Sequence, residues 1–193
     1  MRENLRKKAI LLSKYIKGTK IADFGSEDGT GENVLHRYLE TYSKKEILSV
    51  DFLGNPDIKV NFNKKFPFKK NTFDCIIASE IIEHLDNPLD FLKNCNNALK
   101  PGGMLLLTTP NAISIAEMQT LYKKGAKIAY TEHIYNWNKK NMYYLLKRGD
   151  FKVSHFEYIS YHWRRNILLR SIVYLIPFLR ANLFFVAKKK EKK

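Results

Sequence analysis

The chain has 193 residues, 45% of them hydrophobic and 27% charged, and a formal net charge of +15 at pH 7. That length suits one domain with a core large enough to stand without staples, and the balance excludes a disordered chain. The charge raises affinity for polyanions such as nucleic acid, anionic lipid or phosphorylated substrates. Lysines this scattered, with no nucleic-acid motif, read first as solvated surface.

The elements alternate along the chain. Leu5, Ala9, Leu12 and Ile16 recur at helical spacing, which predicts an N-terminal helix over residues 1–18. "KIADFG" reads as a strand entering a glycine turn, and "ENVLHRYLETY" as a helix. "EILSVDF" and "DIKVNF" are the second and third strands, and the continuous apolar run "TFDCIIAS" is a fourth, buried on both faces. "NPLDFLKNCNNALKPGG" predicts a helix stopped by Lys100-Pro101-Gly102-Gly103, followed by the strand "MLLLTTPN". "NKKNMYYLLKRGD" predicts another helix, and "FKVSHFEYIS" and "ANLFFVAK" the last strands. Strand-helix alternation implies one α/β domain over residues 1–187, mostly parallel with helices on both faces, and a basic tail at 188–193. Residues 167–186 are apolar but interrupted by Arg170, Pro177, Arg180 and Asn182, so they do not read as a spanning helix. Cys75 and Cys95 lie in apolar contexts without Cys-x-x-Cys spacing. With no signal-peptide pattern at the start, they read as reduced and buried in a cytoplasmic protein.

Ligands of such sheets bind beyond the carboxyl ends of the strands. The loop "IADFGSEDGTG" lies there, and it combines a tight glycine turn with three carboxylates, Asp23, Glu27 and Asp28. An acidic loop repels a pyrophosphate and suits a cationic ligand. Gly25, Gly29 and Gly31 also match a dehydrogenase-like G-x-x-x-G-x-G, with Tyr143/Lys147 or Tyr135/Lys139 as a Tyr-x-x-x-Lys pair. In a lysine-rich chain with 11 tyrosines such pairs arise by chance, and the acids oppose a dinucleotide.

Taken in order, "IADFGSEDG", "SVDF", "FPFKKNTFDCIIASEIIEHLDNPLDFLKNCNNALKPGGMLLLTTPN" and "EHIYNWNKKNMYYLLKRGDF" resemble a class I S-adenosylmethionine-dependent methyltransferase from about Lys20 to Phe151. The resemblance implies a Rossmann-like, doubly wound, seven-stranded sheet and S-adenosylmethionine as cofactor, with a sulfonium and an ammonium that suit the acidic loop. It places Asp23, Gly25, Ser26, Glu27 and Gly29 around the amino acid end of the cofactor. Asp51 falls on the ribose hydroxyls, Phe52 over the adenine, Asn61 and the Phe62 backbone at the adenine edge, and Ser79 beside the site. Glu27 stands where the family usually has a second glycine.

Methyl transfer to a hydroxyl needs alignment and a base, for which His84, Glu83 and His133 are the candidates. In "EIIEH" a helical turn would put Glu80, Glu83 and His84 on one face. With His133 these four resemble the metal site of small-RNA 2′-O-methyltransferases and ubiquinone-biosynthesis O-methyltransferases, so a divalent metal is an alternative to plain acid–base chemistry. His36, His155 and His162 read as structural or exposed, and Trp137 as core or lid packing. Residues 162–180 predict either a capping helix packed on the sheet, the reading favoured here, or a helix that faces an anionic membrane or covers a lipid-like acceptor. The expected reaction is methylation, at oxygen, of a small-molecule or lipid- or glycan-linked acceptor. The alternatives are an RNA substrate or a catalytically weak binding module.

Overall fold

A computed structural model describes residues 2–27, 32–124, 133–160 and 167–190, without the side chains of 120, 121, 123, 124 and 167–170. Seven strands form one sheet: β1 Ile21–Phe24, β2 Leu48–Asp51, β3 Ile58–Lys59, β4 Phe73–Ser79, β5 Leu99–Pro110, β6 Phe151–Ile159 and β7 Asn182–Lys189. Their order is β3-β2-β1-β4-β5-β7-β6. All neighbouring pairs are parallel except those made by β7, which runs antiparallel to β5 and β6. The chain winds outward from β1 to β3, then returns to place β4 on the other side of β1. The switch point therefore lies between β1 and β4, where a crevice opens.

Among the described residues six α-helices flank the sheet: α1 Arg2–Ser13, α2 Val34–Ser43, α3 Pro88–Ala98, α4 Ile115–Lys124, α5 Lys139–Arg148 and α6 Ile167–Leu175. Alternate residues of the strands supply two cores, as pleating requires. Cys75, Ile77 and Leu106 join Ala9, Leu12 and Leu39 of α1 and α2 on one face. Ile76, Ala78, Leu105 and Leu107 join Phe91, Leu92, Met142 and Leu146 of α3 and α5 on the other. Local chemistry starts two of these helices. Asn87 accepts the Asp90 N–H ahead of Pro88, and Asn138 accepts the Asn141 N–H at 2.9 Å.

Four boundaries differ from the sequence expectation. Helix α1 stops at Ser13 instead of residue 18. Strand β3 shrinks to Ile58–Lys59 because Asn61 turns the chain: its side chain accepts the Asn63 N–H and its carbonyl the Lys64 N–H. Phe62 then enters an aromatic cluster with Phe24, Phe66 and Phe91. Strand β5 begins at Leu99, so "LKPGG" is its opening and not only a helix stop. At the other end, β7 takes in Lys188 and Lys189 from the expected tail, and the Lys189 ammonium donates to the Leu99 carbonyl at 2.6 Å.

One polar network joins these layers. Glu80, just beyond β4, holds a left-handed backbone at φ 55°, uncommon for a residue with a side chain. Its carboxylate accepts from Lys8 of α1 at 2.9 Å, from Thr108 of β5 at 2.8 Å and from Asn182 of β7 at 3.0 Å. Lys8 is almost fully buried, its side chain 7% exposed against 31% for Glu80. The Lys8→Met variant should therefore lose about 1–3 kcal/mol of stability, between the ranges for surface and buried pairs. In urea unfolding, Lys8→Met/Glu80→Gln should be more stable than the two single losses summed. Strict additivity would show that the pair does not act as a unit.

Candidate active site

The loop after β1 turns at Gly25, whose φ is 80° and where a Cβ would lie 2.9 Å from Ile81 Cδ1. Glycine is needed here for both conformation and space. Its N–H donates to the Val50 carbonyl at 2.9 Å, which ties the loop to β2. Asp23, before the turn, is 1% exposed. One of its carboxylate oxygens meets His36 Nδ1 of α2 at 3.0 Å; the other, Oδ1, is buried with no partner among the described residues. Ser26 Oγ is buried in the same state. Burial works to lower the His36 pKa, but the hydrogen bond and charge of Asp23, with Glu40 and Asp57, outweigh it and raise the pKa.

Asp51 clasps the two loops together. Its Oδ2 accepts the Glu27 N–H at 3.0 Å, while Oδ1 accepts those of Phe52 and Leu53 at 2.6 and 3.0 Å. The Glu27 side chain lies on the backbone of Gly54, where any Cβ would collide with its carboxylate, and accepts from Asn33 at 2.8 Å. Phe52 beside the clasp is 61% exposed. The structure thus brings Asp23, Gly25, Ser26, Glu27 and Asp51 together at one sheet edge, with Phe52 next to them. Ser79 also ends its strand there, bonded to Thr108 at 3.0 Å. Asn61 uses its side-chain oxygen in its own turn, and the Phe62 ring is core. Gly29 lies outside the described residues.

Beyond β4 the "EIIEH" stretch forms a 3-10 turn at Ile82–His84, not an α-helical face. Glu83, His84 and His133 approach so that one ligand atom from each lies within 4.8 Å of the others. Their imidazoles meet edge to face at 4.7 Å. Glu80 stands apart from this group, because its carboxylate is engaged by Lys8, Thr108 and Asn182. The four-ligand alternative raised from the sequence reduces to a three-donor set among the described residues. Glu83 is 1% exposed, accepts from Thr109 at 2.9 Å through Oε2, and leaves Oε1 buried without a partner among the described residues. Burial, reinforced by the charge of Glu80, pushes its carboxyl up to about 8. The three donors fit either a proton-transfer cluster or a divalent ion, since carboxylate and imidazole are ordinary ligands for one.

Sequence reading missed His36 as a partner of Asp23 and Asn33 as a partner of Glu27. No local motif marks either, although His36 lies on the buried side of α2 with Val34 and Leu39. Trp137 is core, as expected. On α6 and the turn after it, Tyr174 and Leu175 are each 75% exposed and Phe178 is 49% exposed. No helix among the described residues is long and apolar enough to cross a membrane.

A raised carboxyl makes the folded chain hold a proton that the unfolded chain has released. Glu83 therefore contributes stability that is full below about 4.5 and is lost as pH rises toward 8. His36 adds a slope of the same sign in that window. Glu83→Gln should keep the His36 slope and lose the rest, as read from urea midpoints between pH 5 and 8. Identical slopes in both chains would show that Glu83 ionises normally.

A methyltransferase-domain family model matches residues 1–155. The ubiquinone biosynthesis O-methyltransferase of Parvibaculum lavamentivorans is 36% identical over 66 residues, 34% of this chain and 23% of that protein. The protein of the same name from Rickettsia canadensis is 28% identical over 115 residues, 58% of this chain and 43% of that one. The chain thus spans less than half the length of these curated relatives. Among solved structures, a SAM-dependent methyltransferase from Archaeoglobus fulgidus superposes with a TM-score of 0.71 at 18% identity, covering 98% of this chain and 95% of that one. Another, from Mesorhizobium loti, gives 0.62 at 15%, covering 96% and 98%. The fold, the order of its loops and the span of the family match agree: this chain belongs to the class I S-adenosylmethionine-dependent methyltransferase family.

Proposed function

We propose that this protein transfers a methyl group from S-adenosylmethionine to a hydroxyl of a small acceptor. The observation that carries this reading is the pair of buried oxygens without partners among the described residues, Asp23 Oδ1 and Ser26 Oγ, in the glycine turn at the sheet's switch point. Buried polar atoms are rarely left without partners, so two together suit a ligand with donors of its own. The cofactor's ammonium supplies such donors, and the carboxylates of Asp23, Glu27 and Asp51 favour a cation over a phosphate. Asp51 would hold the ribose, Phe52 would cover the adenine, and Ser26 and Gly25 would line the amino acid end. The names of the curated relatives favour oxygen as the methylated atom.

Bound there, S-adenosylmethionine supplies a methyl group already activated by positive sulfur. What remains for the chain is to orient the acceptor, exclude water and take a proton from its hydroxyl. His84 and His133, close to each other and half-buried, are the groups for that proton. Glu83 lies within 4.8 Å of both, and its Oε1, without a partner among the described residues, can hold the acceptor hydroxyl or carry the proton. The same three donors could instead hold a divalent ion that polarises the hydroxyl, which would need Glu83 ionised.

Calorimetric titration with S-adenosylhomocysteine tests the cofactor site. Asp51→Asn removes the charge and sets an NH2 against a backbone N–H of the clasp, so it should weaken binding about 10- to 100-fold, the worth of one charged hydrogen bond. Equal affinity in both chains would remove Asp51 from the site. Once an acceptor is found, turnover should survive a chelator; loss of turnover restored by one divalent ion would assign the cluster to a metal.

A further inference from the structure

A concave groove of about 620 Å³ opens between α5, β6 and the loop after β5. Three lysines line it, Lys139, Lys140 and Lys147, together with Tyr143, Tyr144 and Tyr158. Residues 140, 143, 144 and 147 stand at helical spacing and form one stripe along α5. Tyr143 and Tyr144 are 48% and 56% exposed, an unusual state for adjacent aromatics in a helix that packs on a sheet. The Lys139 ammonium lies 4.5 Å from the Phe156 ring centroid and 6.0 Å from that of Tyr158, which fixes one cation over the aromatic floor.

The charge pattern of α5 is one-sided. Its ten residues carry Lys139, Lys140, Lys147 and Arg148 and no carboxylate. None of its three lysines forms an ion pair with a described residue. Lys139 and Lys140 sit in the first turn, where the helix dipole disfavours cations, and no acid offsets them. Charge arranged against the dipole, without an ion-pair partner among the described residues and lining a cavity, is complemented by a multivalent anion there.

The groove also connects to the active-site cluster. Residues 133–138 run from one to the other: Ile134 donates to the Glu83 carbonyl at 2.9 Å, and Asn138 caps α5 and lines the groove. Ala112 donates to the Trp137 carbonyl at 2.9 Å and pins this segment to the loop that carries Ile113 into the groove wall. Five residues of chain span at most about 18 Å, so the groove lies within one extended small molecule of His133.

We infer that the groove is the distal half of the acceptor site and takes a phosphoryl or diphosphoryl group, with the rest of the acceptor running toward Glu83, His84 and His133. The inference rests on the methyltransferase reading of that cluster. A phosphate monoester brings nearly two negative charges and three acceptor oxygens, which matches several ammoniums and tyrosine hydroxyls better than one carboxylate does. The volume suits a small headgroup, and the tyrosine faces suit a sugar or an isoprenoid next to it.

The test is calorimetry on the full chain loaded with S-adenosylhomocysteine at low salt, with sodium pyrophosphate as the probe. Saturable binding should weaken at least tenfold in Lys140→Ala/Lys147→Ala. It should stay unchanged in Lys69→Ala/Lys70→Ala, a control pair of exposed lysines elsewhere. Affinity for S-adenosylhomocysteine should be equal in all three chains. If that compound binds none of them, the cofactor reading fails; pyrophosphate titrated into the unloaded chains then still reports on the groove. Pyrophosphate binding that is absent, or equally sensitive to both lysine pairs, overturns the inference. So does a single-stranded 20-mer RNA whose binding depends on Lys140 and Lys147 when that of pyrophosphate does not. Geranyl diphosphate and glucose 1-phosphate in parallel separate the sources: preference for the first assigns a lipid-linked acceptor, preference for the second a soluble phosphate ester.

Discussion

The active end of this sheet is organised around the carboxylate of Glu80. It receives Lys8 from the N-terminal helix, Thr108 from β5 and Asn182 from β7, and so ties that helix to two strands of the sheet at the point where β4 ends. Holding them requires a left-handed backbone at Glu80, which turns the chain sharply into the 3-10 segment that follows. That turn delivers Glu83 inward and His84 toward His133. Because Glu80 is committed to Lys8, it is not available to a ligand beside His84. The negative charge it keeps nearby also helps hold Glu83 protonated. Burial, with the charge of Glu80 beside it, raises the Glu83 carboxyl, and the Lys8–Glu80 pair reduces the ligand count of the neighbouring cluster.

The acidic loop follows a similar logic. In a chain of net charge +15, carboxylates gathered at one edge form a local minimum of potential that a cationic cofactor finds and an anionic dinucleotide does not. Asp51 reaches both loops through three backbone N–H groups, so the end of β2 and the glycine turn are mechanically one unit. Glu27, where the family usually has glycine, does not block the crevice: its side chain folds onto Gly54 and is held by Asn33. The positive groove on α5 sits at the other end of the acceptor path. The molecule therefore presents an acidic site to a cation and a basic site to an anion, joined through Glu83 and residues 133–138.

Much of this was legible in the sequence because it follows from periodicity and punctuation. The buried runs at β4 and β5, the glycine turn after β1 and the Asn-Pro start of α3 each have one physical solution. The antiparallel insertion of β7 between β5 and β6 is a matter of tertiary order, which no local pattern carries. The short β3 was misjudged because "DIKVNF" alternates like a strand, while Asn61 can close its own turn and Phe62 finds an aromatic cluster. The expected helical face over "EIIEH" failed for a longer-range reason: Lys8, 72 residues away, claims Glu80. His36 escaped notice on the same grounds, since its partner Asp23 lies on a different element.

The central claim is that the β1 and β2 loops, clasped by Asp51, are the cofactor site. Amide hydrogen exchange with and without saturating S-adenosylhomocysteine tests it most directly. The account predicts protection concentrated in peptides covering residues 24–34 and 50–55, with little change in α3 or β6. Protection absent from both loops, or centred on α5 and β6, would contradict it.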